Sequence, residues 1–220
     1  PMMRLVPLLA GRKVVNFCCG HFGGVVECDD NSVWAWGRNL YGECGVGHAN
    51  PVLIPTKVTL PFADAVAAVY SSAMGRSNHM SAVLSTTGRL AIFGDNAYGQ
   101  AATGTIGGVR NTPFEVPKIS SQNRAGVWAD RLHTFAWTDA ASGGKLYACG
   151  YNASGQLCHG GTTNIATMTA CVRASDSTQL TNIKKVIVLA DDSGTHGETM
   201  AALTTTGELY TCGYGALGNI

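Results

Sequence analysis

Four stretches of this chain align with one another, and that self-similarity limits its fold more than any other feature. They run from Val33 to Gly45, Leu90 to Ala102, Leu146 to Cys158 and Leu209 to Ile220. Each is a short apolar strand closed by a glycine (Gly37, Gly94, Gly150, Gly213), with a second glycine five places on (Gly42, Gly99, Gly155, Gly218). In the first three copies an asparagine follows the closing glycine by two places (Asn39, Asn96, Asn152). The closing glycines are 57, 56 and 63 residues apart, a spacing that belongs to repeat architectures.

Upstream of each stretch lies a second apolar strand: Gly24 to Glu27, Ser81 to Leu84, Thr134 to Trp137 and Met200 to Leu203. Between the two come Asp30-Asn31, Thr87-Gly88, Gly143-Gly144 and Thr206-Gly207, residues that accept the positive φ of a tight hairpin. A further β-rich run precedes each hairpin, at 13–15, 65–69, 126–128 and 184–188, and no amphipathic helix intervenes. Three to four short strands per unit of about fifty residues predict an all-β chain of β-propeller blades. The units fall at approximately 1–58, 59–116, 117–172 and 173–220. Pro1 to Gly20 matches a repeat's tail and Ile220 falls in the slot of Leu157, so the sequence reads as starting and stopping inside a repeat.

The combined pattern resembles the regulator of chromosome condensation repeats. The residues that carry the likeness are Cys19-Gly20, His133-Thr134-Phe135-Ala136, Trp36-Gly37-Arg38-Asn39 and Gly155-Gln156-Leu157. Single copies depart from it: Cys149 and Cys212 stand in a tryptophan slot, Ala102 and Cys158 in a glycine slot, and Gly215 in the asparagine slot. The resemblance implies a seven-bladed propeller with about four blades' worth present, and for some members guanine-nucleotide exchange on a small GTPase. The repeat glycines and asparagines read as structural, and Trp34, Trp36, Phe93, Tyr147 and Tyr210 as fillers between blades.

Composition narrows the function. Charged residues make up 13% of the chain against roughly 25% in an average domain, and the net charge is +1 with no basic block. That argues against a nucleic-acid surface, which needs clustered Lys and Arg. No apolar run reaches the roughly 20 residues of a bilayer span, and Pro7 interrupts the short apolar run at the start, so a signal peptide is not expected. The eight cysteines lack metal-ligand spacing and several fill apolar repeat slots. They read as buried free thiols in a reducing intracellular compartment, cytoplasm or nucleus, with a virion as a further setting.

No catalytic, cofactor or metal constellation is legible. His133 reads as a core histidine bonded to backbone, and the pairs Asp29-Asp30 and Asp191-Asp192 as turn residues. Binding residues are expected in the loops before each second strand, where the copies differ most, led by Tyr70, Arg76, Arg131 and Asp191. The function expected is a non-catalytic scaffold that binds another protein. Exchange on a small GTPase, and a structural role in a large assembly such as a virion tail or fibre, are the alternatives.

Overall fold

A computed structural model describes residues 11–20, 23–71, 79–117, 124–189 and 199–214, together with Val6 and Leu9. The first sheet holds β1 (Val14–Gly20), β2 (Gly23–Cys28), β3 (Val33–Gly37) and β4 (Val52–Val58). The second holds β5 (Val66–Ser71), β6 (Met80–Ser85), β7 (Leu90–Asp95) and β8 (Val109–Val116). The third holds β9 (Arg124–Ala129), β10 (His133–Thr138), β11 (Leu146–Gly150) and β12 (Ile165–Ala170). The fourth, among the described residues, holds β13 (Ile183–Leu189), β14 (Thr199–Thr204) and β15 (Leu209–Gly213). Within each sheet every strand pairs antiparallel with its neighbour in sequence. A 3-10 turn at Ala140–Ser142 lies between β10 and β11. No helix among the described residues is long and apolar enough to cross a membrane.

The β2–β3, β6–β7 and β14–β15 hairpins share one turn design. A left-handed residue (Asn31, φ 60°; Gly88, φ 78°; Gly207, φ 89°) sits just before the N–H···O bond that opens each ladder. Glycine and asparagine hold that conformation at little steric cost. The β10–β11 hairpin differs, because Asp139 caps the 3-10 turn and Gly143 and Gly144 (φ 87° and 56°) complete it.

The first strands of consecutive sheets pack side by side, β1 on β5, β5 on β9 and β9 on β13, so the sheets are the blades of a propeller around one axis. The apolar core lies in the three seams. Strict alternation assigns the side chains: Ala91 and Phe93 of β7 face the first blade, while Leu90 and Ile92 face the third. Across the last seam Phe135, Leu146 and Leu157 meet Val186, Met200 and Ala202. Each such large side chain, fully buried, contributes roughly 1.5–3 kcal/mol. Of the aromatic fillers, Phe93, Trp36 and Tyr210 sit in seams. Trp34 instead lies under the Arg12 guanidinium, 4.6 Å from its ring centroid.

The cysteine expectation needs correction. Cys158 of the third blade and Cys212 of the fourth are joined by a disulfide. Their repeat slots look independent in sequence, but the fold sets them face to face across a seam. The other six cysteines are free, and Cys28, Cys44, Cys149 and Cys171 are buried as small hydrophobes.

Candidate partner-binding face

The starts of β2, β6 and β10 and the long loops that follow Gly37, Gly94 and Gly150 lie at the same end of the blades, because antiparallel pairing sets Gly23 opposite Gly37, Met80 opposite Gly94 and His133 opposite Gly150. Among the described residues this end carries the loops 38–51, 96–108 and 151–164, while the opposite end carries the short hairpin turns and the connections from one blade to the next.

Each long loop is built around its asparagine. Asn39, Asn96 and Asn152 are fully buried. The Asn39 amide donates to the carbonyls of His48 (2.7 Å) and Asn50 (2.9 Å), and its oxygen accepts from the Cys44 N–H (2.9 Å). Asn96 repeats this with Thr105, Gly107 and Ala101, and Asn152 with Gly161, Thr163 and Leu157. The sequence suggests only a local turn role for this residue. Its bonds in fact reach nine and eleven residues ahead, so one side chain closes the whole loop.

The residue after the second glycine ties each loop to itself and to the next blade. Gln100 Oε1 accepts from the Tyr98 N–H at 2.8 Å, and its Nε2 donates to the Arg131 carbonyl of the third blade at 3.2 Å. Glu43 and Gln156 accept from Tyr41 and Ser154 in the same way. Hydroxyls on the next blade cap these residues' carbonyls: Ser81 Oγ donates to Glu43 (2.9 Å) and Thr134 Oγ1 to Gln100 (2.8 Å). Gly42 and Gly99 lie so close to the next blade that a Cβ would stand 2.6 Å from Asn111 Cα and 2.7 Å from Ala166 Cα. Only glycine fits there.

At the third blade the loop before the second strand is held by charge. Asp130 accepts from the N–H groups of Leu132 and His133, both at 2.8 Å, and its Oδ1 lies 3.1 Å from His133 Nδ1. Burial alone would raise the Asp130 pKa, but the His133 ring and those N–H donors bring it below the ordinary aspartate value. His133 is therefore a buried core histidine, as expected, with the Asp130 carboxylate against its Nδ1. Asp95 goes the other way: burial raises its pKa, against the N–H donors of Ala97 and Asn96 and the Gln100 amide.

The outer skin of this end is aromatic and small. Tyr98 and Tyr151 meet edge to face at 5.0 Å, Tyr41 lies 6.1 Å from His79, and the Arg38 guanidinium sits 5.7 Å from the Tyr41 ring. Leu40, Ala97 and Ala153, one per blade, are exposed. Of the residues singled out in sequence, Arg131 lies in the β9–β10 turn at this end but is only 8% exposed. Tyr70 lies on β5, half-buried against the second seam, where burial raises its hydroxyl pKa. Arg76, Asp191 and Gly218 fall outside the described residues. The pairing of Tyr98 with Tyr151 is not legible in the sequence, since the two come from different slots of different copies.

Residues 30–75 match the family model of the regulator of chromosome condensation repeat. The chain is 28% identical over 163 residues to human E3 ubiquitin-protein ligase HERC2, a match covering 73% of this chain and 3% of the ligase. In structure it is similar to human WBSCR16, with TM-score 0.71, 20% identity and coverage of 93% of this chain and 48% of that one. It is also similar to Prp20p of Saccharomyces cerevisiae, with TM-score 0.59, 19% identity and coverage of 74% and 39%. The chain thus spans less than half the length of each of these proteins. The family-model match, the homologues and the shared architecture agree with the asparagine-closed loops: this chain is a run of repeats of the regulator of chromosome condensation type, folded as propeller blades.

Proposed function

We propose that the chain is a non-catalytic scaffold that binds another protein through the end of the propeller bearing the long loops. One observation carries this reading. The loops at that end are braced from within by Asn39, Asn96 and Asn152, and the second blade's loop is tied to the next blade by the bond from Gln100 to the Arg131 carbonyl, so they present a preorganised surface. A braced surface binds without the ordering cost that a loose loop incurs. Its outer skin of Tyr41, Tyr98, Tyr151 and Arg38 is of the residue types that dominate protein interfaces. Tyr70, Arg76, Arg131 and Asp191 belong to this proposal, with Arg131 acting through its backbone as a brace. The setting is intracellular, and the repeat units are 1–58, 59–116, 117–172 and 173–220.

A second reading is exchange of guanine nucleotide on a small GTPase. Its support is the likeness to Prp20p, whose structure was described together with its binding properties to Gsp1p and histones.

A photo-crosslinking residue at Ala97 or Ala153, compared with one at Thr86 or Thr206 on the opposite end, tests the proposal in cell extract with the full-length protein. Crosslinks to one partner from the first pair and not the second support it. The reverse pattern overturns it. Accelerated release of labelled nucleotide from a GTPase captured this way selects the second reading.

A further inference from the structure

The three seams repeat one contact, and the repetition singles out its third instance. The last residue of each of the first three aligned stretches adopts a left-handed conformation: Gly45 at φ 67°, Ala102 at 55°, Cys158 at 54°. Each touches the residue before the closing glycine of the next blade. A Cβ on Gly45 would lie 2.8 Å from Phe93 Cδ2. Ala102 packs with Cys149 in the second seam cluster, and Cys158 meets Cys212 in the third. The two sides compensate in size, glycine with phenylalanine and alanine with cysteine. Only the last described seam puts sulfur on both sides, with a Cα–Cα distance of 5.9 Å, inside the ordinary disulfide range.

Three features distinguish this pair from the other cysteines. Both members are half-buried, whereas Cys28, Cys44, Cys149 and Cys171 are buried, and the half-buried Cys18 and exposed Cys19 are adjacent on one strand with no sulfur among the described residues facing them across a seam. Cys158 forms part of the wall of a groove of about 430 Å³ that also holds Arg173, Met200 and Tyr210, wide enough for a small thiol and supplied with a cation. Burial pushes the Cys44 and Cys149 thiols up to about 12, so those groups stay protonated and do not enter exchange. The backbone of Cys158 is pinned on both sides, by its N–H to Gly155 O (3.1 Å) and its carbonyl to Val172 N (2.7 Å). Opening the bond therefore frees the fourth blade's strand without dismantling the third blade's loop.

We propose that Cys158–Cys212 is a reversible redox staple that locks the seam between the third and fourth blades, opened by a small-molecule thiol such as glutathione. One glutathione thiolate attacks a protein sulfur, forming a mixed disulfide and releasing the other cysteine as a thiolate that takes up a proton. A second glutathione attacks the mixed disulfide, giving oxidised glutathione and the second cysteine thiol. The two glutathiones are oxidised as they give up the two electrons that reduce the bond, and oxidised glutathione reverses both steps. This inference stands apart from the partner-binding reading, because no partner enters its test.

The full chain is equilibrated in glutathione buffers of graded ratio, and the two cysteines are counted by differential alkylation and mass spectrometry. Cys158 and Cys212 should become reactive together across one midpoint. Reduction should raise amide hydrogen exchange at Thr211 to Gly213 by roughly tenfold or more, with Phe135 and Ala136 unchanged. Cys158→Gly, which installs the residue of the first blade's slot, should show the fast exchange whatever the buffer. Cysteines alkylated even in oxidised glutathione, a bond that survives excess reduced glutathione, or identical exchange in both states would each overturn the staple.

Discussion

Removing the Asn96 side chain should open the second blade's loop by a predictable amount. The Asn96 amide donates to Thr105 O at 2.9 Å and Gly107 O at 3.2 Å, and its oxygen accepts from Ala101 N at 3.0 Å. Three such bonds at about 1 kcal/mol net each give about 3 kcal/mol for Asn96→Ala. The cost falls on the local opening of the loop, because the flanking strands keep their own ladder. Hydrogen exchange at the Ala101 amide reads it directly, and about 3 kcal/mol corresponds to about 150-fold faster exchange. Asn96→Asp sharpens the test. It keeps an acceptor for Ala101 but turns a carboxylate oxygen toward two carbonyls, so it should be at least as damaging as alanine despite its shape. An aspartate variant exchanging within about threefold of the parent would refute the donor role, and with it the account of how these loops are braced.

Gly99→Ala and Gly104→Ala separate space from conformation, since both positions have positive φ (89° and 82°) but only at Gly99 does a Cβ meet backbone. Denaturation should show Gly104→Ala costing about 1 kcal/mol and Gly99→Ala roughly 1–3 kcal/mol more; equal losses would remove the close contact with Ala166 from the argument. The depressed pKa of Asp130 means that its contribution is complete above the ordinary aspartate value and is lost as pH falls through the lower folded-state value. Thermal melts of the parent and Asp130→Asn should therefore differ most near neutrality and converge as pH falls below about 4, and a gap that stays constant into acid would assign Asp130 no such role.

The strands, the hairpin turns and the loop glycines were legible because each is a local rule repeated in several copies. The alternation of Leu90, Ala91, Ile92 and Phe93 was enough to place them on two faces of one strand. Contacts between blades were not legible, because no single copy contains both partners. Gln100 reaches Arg131, Thr134 reaches Gln100, and Cys158 reaches Cys212 at a separation of 54 residues. A signal existed nonetheless. Setting Gly45, Ala102 and Cys158 beside Phe93, Cys149 and Cys212 shows the two columns compensating in volume, as facing residues must in a close-packed seam. Choosing binding residues by loop divergence selects Arg131, yet the fold buries most of that residue and uses its carbonyl as a brace. Divergence marks a loop as copy-specific without telling which of its atoms point outward.

If every copy puts the same slot in the same place, a bond made at one seam can be transplanted to another. Gly45→Cys combined with Phe93→Cys recreates, between the first and second blades, the sulfur pair that the third seam holds by nature. Peptide mapping without reduction should then recover a crosslink between the two peptides that carry the substituted positions, alongside Cys158–Cys212. A folded double variant whose new thiols stay free under conditions that close the natural pair would contradict the equivalence of the blades, and the common loop-bearing face would lose its foundation.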